Sequence, residues 1–229
     1  FGYLHVGGGF ATPSYLGTQG CHMSAGLGRL IAKGDILPVG SDASTDTGFY
    51  VVPEQRLEGG KIRFVRSMQS DKFEGRTITR FTKTEFRRDL RGNRQGIRMD
   101  FDGEGFQSGG QLNIVSEVTI AGDIQITGDG TPFVLMHECQ TTGGYPRIGT
   151  ILPCDLNKVS QAPIGSSLKF ELLTFKEGAA IQARSSAVLS GIRKSIKPLI
   201  RDVTTIQDLL SYQLISGAIS AKNAPLDEG

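Results

Sequence analysis

Residues 133–146, FVLMHECQTTGGYP, change from apolar to polar within a few positions, and this change guides the interpretation of the whole chain. The first four residues are strand formers. The amides and hydroxyls of residues 140–142 follow, and then Gly143 and Gly144, which allow backbone N–H groups to approach a ligand closely. The pattern predicts a strand that ends in an edge able to bind something small and polar. A plain hairpin turn is the alternative that this spacing leaves open.

Other runs accompany this stretch in a fixed order: DIQI at 123–126, GDGTP at 128–132, RIGTILPCDL at 147–156, Gln161, and PIG at 163–165. Together they closely resemble the allophanate hydrolase subunit 2 family, also called the biotin-dependent carboxyltransferase family. Its bacterial members include the C-type subunit of 5-oxoprolinase. The family pattern reads roughly GxIQVPxDGxPIxLLxDxQTTGGYPxIGxVIxxDLxxxxQxxPG, and few positions here depart from it.

Two further blocks extend the resemblance to about residues 3–172. LHVGGGFATP at 4–13, with LG at 16–17, GR at 28–29 and KGDIL at 33–37, is similar to the family's VAGGIxxPxxLGSxST and GRxLxxGDxL. NRQGIRM at 93–99 is similar to the SDRMGYRL block, with Gln95 in place of the methionine. Residues 18–21, TQGC, stand where the family usually has Ser-Arg-Ser-Thr, so an arginine is missing there.

The expected fold class is mainly β. The 229 residues include 31 glycines and no tryptophan, and the strand-like runs are short, which is typical of a barrel or sandwich. The resemblance implies a cyclophilin-like β-barrel over residues 61–176, preceded at 1–60 by the remnant of a second β lobe. Family members carry roughly a hundred more N-terminal residues, about the size of a domain. We therefore expect a truncated or proteolysed form whose first strand needs a partner.

Strands are predicted near residues 3–6, 49–52, 61–65, 77–81, 96–101, 115–119, 123–127, 132–136, 147–153 and 167–174. A helical turn is expected within 71–76 and a short helix at 153–159. After residue 176 the period changes, because apolar residues recur at three- and four-residue steps between Ile196 and Leu214. This predicts a helical C-terminal tail, residues 177–229, that packs on the barrel or on a partner.

Composition excludes several classes of function. No run approaches the roughly 20 apolar residues of a membrane span. The three cysteines have neither disulfide-framework nor zinc-ligand spacing, which suits a reducing cytoplasm. The three histidines lie in no metal-binding or triad motif, so no metal site is expected.

A nucleic-acid surface is a remote alternative. Residues 61–98 hold twelve basic and four acidic side chains, a net charge of +8 in a chain whose total is +2. Phe64, Phe73, Phe81 and Phe86 are interleaved with these charges, as on single-strand-binding proteins. The other interpretation makes the phenylalanines core residues and the arginines a solvated or anion-collecting rim.

The candidate binding residues suit a compact ligand that carries an amide. Arg94 and Arg98 are candidates to pair with a substrate carboxylate. Glu138 is the candidate for proton transfer, since counting by twos along a strand puts it on the face of Gln140 and the family usually has aspartate there. His137 is interpreted as a surface imidazole. The remaining candidates offer amides, hydroxyls, glycine backbone and an amphipathic ring: Gln125, Gln140, Thr141, Thr142, Gly143, Gly144 and Tyr145.

The resemblance implies a subunit of an ATP-dependent, lactam-opening 5-oxoprolinase-like complex or of a biotin-dependent carboxyltransferase complex of the allophanate hydrolase type, and we predict an enzyme subunit of this kind. The chain has no biotin-attachment lysine motif and no ATP-grasp signature, so ATP or carboxybiotin is expected to come through partner subunits. The expected partner is a cyclophilin-fold protein like allophanate hydrolase subunit 1 or the B-type subunit of oxoprolinase, and the expected substrate is a small amide or lactam. A non-catalytic partner that antagonises a kinase inhibitor is the second possibility.

Overall fold

Seven strands close into a barrel in the computed structural model, which describes residues 2–43, 48–51, 57–109 and 115–199. The described chain contains eleven strands: β1 (Phe49–Val51), β2 (Gly60–Val65), β3 (Glu85–Gly92), β4 (Gly96–Asp100), β5 (Glu117–Val118), β6 (Asp123–Ile126), β7 (Pro132–Leu135), β8 (Thr142–Gly143), β9 (Arg147–Ile151), β10 (Ser167–Leu173) and β11 (Ile196–Pro198). Its α-helices are α1 (Gly75–Lys83), α2 (Pro153–Gln161) and α3 (Phe175–Ser190). The mainly β fold class with a closed barrel is therefore confirmed.

The barrel order is β10-β2-β9-β6-β7-β4-β3, and β3 returns to pair with β10. Only the β2–β10 pair among these described barrel strands is parallel. Buried apolar side chains alternate with more exposed residues along several strands, as Ile62 and Phe64 do on β2 and Leu168 and Phe170 do on β10. This alternation fills the interior.

Helix α1 corrects the strand that the sequence predicted near residues 77–81. Ile78 and Phe81 lie three positions apart on one helical face, and both are buried. The Phe81 ring packs against other rings of the core, with centroid distances of 4.8 Å to Phe86 and 4.9 Å to Phe170. The threonines that suggested a strand lie on the more exposed part of the helix. Tertiary packing therefore overrides local strand propensity here.

Phe64 packs across strand β9 because residue 149 is glycine. A Cβ at Gly149 would lie 2.4 Å from the Phe64 ring and 2.7 Å from the carbonyl oxygen of Val65. The position of the Phe64 ring in the core therefore depends on the absence of a side chain at Gly149.

A buried carboxylate joins β2 to helix α2. Asp155 is fully buried and accepts hydrogen bonds from the Arg63 backbone N at 2.9 Å, from Nε at 2.7 Å and from Nη2 at 2.6 Å. The Lys158 ammonium lies 3.0 Å away. Burial alone would raise the pKa of Asp155, but the hydrogen bonds from Arg63 and Lys158 hold it below its ordinary value. Helix α2 agrees with the short helix predicted at 153–159.

Outside the barrel, the described N-terminal residues 2–43 are joined by three isolated bridges rather than by regular strands. The strand predicted at residues 3–6 is absent there, and Tyr3 and Leu4 are exposed without a ladder partner in the described chain. The Arg29 guanidinium donates to Asp35 at 2.6 and 2.9 Å and lowers the pKa of that carboxyl to about 2.

Helix α3 begins the helical tail. Thr174 and Glu177 form a capping box at its N-terminus. The chain then turns into strand β11, which pairs with β1 and is exposed along its length. The helical periodicity predicted from Ile196 onward is wrong for residues 196–199, and its remainder, from residue 200, lies outside the described residues. None of the helices in the described ranges is long and apolar enough to cross a bilayer.

We expect Asp155→Asn to destabilise the protein by about 3 kcal/mol, because it leaves Arg63 and Lys158 without a counter-charge in a buried site. Urea unfolding at pH 7 measures this. The matched control is Glu171→Gln, which breaks the exposed pair with Lys61 and should change stability by less than about 0.5 kcal/mol.

The same carboxylate predicts a pH dependence. Its pKa is depressed in the folded state, so its contribution is present above an unfolded pKa of about 4 and is lost as pH falls through the folded pKa. The difference between wild type and Asp155→Asn should therefore shrink below about pH 4. A difference that stayed constant in acid would contradict a charged Asp155.

Candidate functional site

The polar part of residues 133–146 leaves the barrel and returns to it. Strand β7 ends at Leu135, and the chain re-enters the barrel at Arg147 in β9. Both β7 and β9 pair with β6, which lies between them, so the segment crosses the end of β6. The simple hairpin alternative is therefore wrong. On the way, β8 pairs with β5 in a separate two-stranded sheet, and we call residues 117–119 and 140–145 the rim.

The rim borders a cavity of about 690 Å³. Residues of β3, β4, β6 and β7, and of the loops next to these strands, form the rest of its wall, so the cavity lies where the rim meets the barrel. Six of the residues predicted from sequence line it together: Gln125, Gln140, Thr142, Gly143, Gly144 and Tyr145.

Gly143 allows the side-chain amide of Gln125 to approach the rim. A Cβ at Gly143 would lie 2.6 Å from Gln125 Nε2 and 3.2 Å from Thr119 Cγ2. Gln125 lies at a register shift between β6 and β9, where the ladder is irregular. The glycine pair thus provides space for a polar side chain beside the cavity.

Thr119 was not singled out in the sequence, yet it fixes the rim. It is buried, its Oγ1 donates to the carbonyl of Gln140, and its backbone N donates to the carbonyl of Thr141 at 3.0 Å. It also lines the cavity. A threonine two residues before a turn carries no distinctive signal by itself.

The other four predicted site residues, Arg94, Arg98, Glu138 and Thr141, are not among the lining residues of this cavity. Strand geometry ends at Leu135, so counting by twos does not apply to Glu138. Its carboxylate lies 3.0 Å from Arg94 Nε, and both side chains are about half exposed. Arg94 instead lines a cavity of about 1150 Å³ against the N-terminal segment, where its Nη2 donates to the Cys21 carbonyl at 3.4 Å.

Arg98 forms an ion pair with a carboxylate of the same barrel wall. Its Nη1 lies 2.5 Å from Asp89 Oδ2, and the Asp89 side chain is only 11% exposed. Arg98 therefore neutralises a carboxylate within the barrel wall and is not among the residues that line the cavity.

Among the residues that the structure describes, Arg91 is the cation that lines the cavity, and it is not one of the site residues predicted from the sequence. It lies in a β-bulge, since Arg88 and Gly92 on β3 pair with Met99 and Ile97 on β4, four positions against two. Bulges redirect side chains in this way. The Asp89 carboxylate accepts hydrogen bonds from three atoms of Arg91: the backbone N at 2.7 Å, Nε at 3.1 Å and Nη2 at 3.0 Å.

These contacts shift the pKa values of both Asp89 and Arg91. Hydrogen bonds from the Arg91 side chain, and then from its backbone and from Arg98, hold the pKa of Asp89 well below its usual range. The same hydrogen bond raises the pKa of Arg91. Its side chain remains 72% exposed, and the described contacts leave Nη1 without a protein partner, so it is available to an anion.

The described residues contain no group of three or more His, Cys, Asp and Glu side chains that could hold a metal ion. Cys139 lines the cavity, and all three cysteines are free thiols.

The phenylalanines on which the nucleic-acid alternative rests lie inside the barrel. Phe64, Phe81 and Phe86 are fully buried and Phe73 is nearly so. Rings inside the barrel cannot stack on bases. The interpretation of the phenylalanines as core residues is the one that the structure supports.

Comparisons with known proteins identify the family to which this chain is similar. The family model described as carboxyltransferase domain, subdomain A and B, matches residues 1–172. The C-type subunit of 5-oxoprolinase from Haemophilus influenzae is 28% identical over 202 residues, 86% of this chain and 63% of the relative. That of Escherichia coli is 30% identical over 186 residues, 80% of this chain and 58% of the relative.

The crystal structure of the Kluyveromyces lactis urea carboxylase matches with a TM-score of 0.61 at 18% identity, covering 85% of this chain and 20% of that one, which supports the fold alone. The chain spans less than two thirds of the length of either curated relative.

The two ion pairs near the cavity should differ in energy. Asp89→Asn should destabilise the protein by about 2 kcal/mol, because charge-assisted bonds from Arg91 and Arg98 to a shielded carboxylate are lost. Glu138→Gln should change stability by less than about 0.5 kcal/mol, because its pair with Arg94 is solvated. Urea unfolding of both variants at pH 7 tests this, and equal effects would contradict the different roles of the two pairs.

Proposed function

The chain belongs to the carboxyltransferase domain, subdomain A and B, family, and we propose on that premise that it serves as one subunit of a multi-subunit enzyme that opens a small lactam, in the manner of 5-oxoprolinase. The observation that carries the proposal is the cavity under the rim, which combines amides, a hydroxyl and one available guanidinium. This set complements a lactam that bears a carboxylate.

The amides of Gln125 and Gln140 both donate and accept hydrogen bonds, so they suit the carbonyl and the N–H of a lactam. The Thr142 hydroxyl offers a further donor or acceptor, and Tyr145 provides an apolar face for the ring. Arg91 pairs with the substrate carboxylate, which is the role predicted from the sequence for Arg94 and Arg98.

Arg91 also favours a lactam acid over urea. Urea is neutral and would leave the guanidinium without an anionic partner, so carboxyl transfer to urea is the less favoured chemistry for this cavity. Under this proposal ATP or carboxybiotin is handled by partner subunits, of which one resembles the B-type subunit of oxoprolinase. The free thiols are compatible with a cytoplasmic location for the complex.

Reconstitution tests the function directly. We expect ATP-dependent glutamate release from 5-oxoproline when the protein that carries this chain is mixed with its co-encoded partner subunits, and no release without it. No release from the complete mixture, with turnover of urea and carboxybiotin instead, would favour the carboxyltransferase reaction.

Gly143→Ala tests the cavity as the substrate site. The added Cβ would displace the end of the Gln125 side chain, so we expect kcat/KM for 5-oxoproline to fall about tenfold or more with little change in stability. The matched control is Gly75→Ala in α1, where a Cβ meets nothing within 4 Å and activity should stay unchanged. Full activity of Gly143→Ala would place the substrate elsewhere.

Arg91→Gln tests the carboxylate contact. We expect the KM for 5-oxoproline to rise about tenfold or more, as for the loss of a hydrogen bond to a charged group. Binding of 2-pyrrolidinone, which lacks the carboxylate, should be unaffected. Arg94→Gln is the matched control because Arg94 lies outside this cavity. A larger effect in the control would return the role to Arg94.

A further inference from the structure

Arg147 lies buried at the point where the rim segment rejoins the barrel. It is 9% exposed, and all three of its guanidinium nitrogens have protein partners. On the barrel side, Nη1 lies 3.1 Å from Asp123 Oδ2, and the Gln69 side-chain oxygen accepts from the Arg147 backbone N at 3.0 Å and from Nε at 3.2 Å. Asp123 and Gln69 are themselves buried.

On the rim side the same guanidinium holds strand β5. Nη1 donates to the Val118 carbonyl at 2.5 Å, and Nη2 donates to Glu117 Oε2 at 2.8 Å. Gln69 Nε2 donates to the same Glu117 oxygen at 2.6 Å. Arg147 and Gln69 therefore tie β5 to the barrel through a shared carboxylate.

Strand β5 in turn holds the part of the rim that faces the cavity. Glu117 and Val118 pair with Gly143 and Thr142, and Thr119 bonds the backbone at Gln140 and Thr141. Strand β8 belongs to no barrel ladder. One path of contacts from the barrel to residues 140–143 thus runs through Glu117 and its neighbours, in addition to the backbone bonds made by Glu138 and Cys139.

We propose that Arg147 is a positioning residue for the ligand cavity and acts through Glu117 and Thr119. It does not line the cavity itself. Its role is to keep the rim in the conformation that binds ligand, so its effect on a ligand rests on the function proposed above. The anchoring of the rim itself does not depend on that function.

Glu117→Ala removes the side-chain part of this anchor without emptying the buried site, because Glu117 is 46% exposed while Arg147 keeps Asp123, Gln69 and the Val118 carbonyl. In hydrogen exchange of the full protein, we expect peptides covering 117–119 and 140–145 to exchange about tenfold faster, with β6 peptides unchanged. Glu117→Gln, which retains neutral hydrogen bonds, should show an intermediate rate. Glu171→Ala, which removes a similarly exposed carboxylate on β10, should leave the rim rates unchanged.

In the reconstituted complex, Glu117→Ala should raise the KM for 5-oxoproline about tenfold while kcat changes less than about twofold, a split expected from a lost ground-state binding geometry. The melting temperature should stay within about 2 °C of wild type. Unchanged rim exchange, or an equal effect in Glu171→Ala, would overturn the proposal. Faster rim exchange with an unchanged KM would support the anchor and would count against the cavity as the substrate site.

Discussion

The parallel pairing of β2 with β10 is the constraint on which the rest of the structure depends. It brings together strands separated by more than a hundred residues, and without it the remaining strands form an open sheet with two free edges. Helix α2 reinforces the pairing from outside, because Asp155 binds both the backbone and the guanidinium of Arg63 on β2. Within the barrel, the pairing of β7 and β9 with opposite edges of β6 fixes the distance that the rim segment must cross.

Two buried carboxylates in the described chain are stabilised in similar ways. Asp155 and Asp123 are both buried carboxylates, and each is satisfied by an arginine and further donors. Such a site is stable only as a complete set, since an unpaired buried charge is strongly unfavourable. The first set holds a helix on the barrel, whereas the second holds a two-stranded sheet that has little core of its own. The energetic principle is the same, but the second set holds strands whose residues Thr142 and Gly143 line the cavity of the candidate site.

The sequence predicted six of the seven barrel strands, all except β3, and it predicted cavity residues where local pattern and packing agree. Short strand-like runs marked β2, β4 and β10, and the glycine pair with its neighbouring amides marked the rim. It was wrong for α1, whose threonines and aromatic residue favour a strand until Ile78 and Phe81 are packed on the core. It missed Arg91 because a bulge, which depends on the pairing of β3 with β4, redirects that side chain. It also missed Thr119 and Arg147, whose roles depend on partners distant in sequence.

Strand β10 and helix α3 follow each other in the chain and are nearly equal in length. Strand β10 rises about 23 Å over its 7 residues, and α3 spans about 24 Å over its 16 residues. The helix therefore runs roughly as far as the strand that precedes it, and the chain then reaches β1, with which β11 pairs. The position at which β11 meets β1 therefore depends on the length of α3, because the helix lies between β10 and β11 in the chain. A relative with one more turn in this helix would need a compensating change in the strand or in the connection for the β1–β11 register to survive.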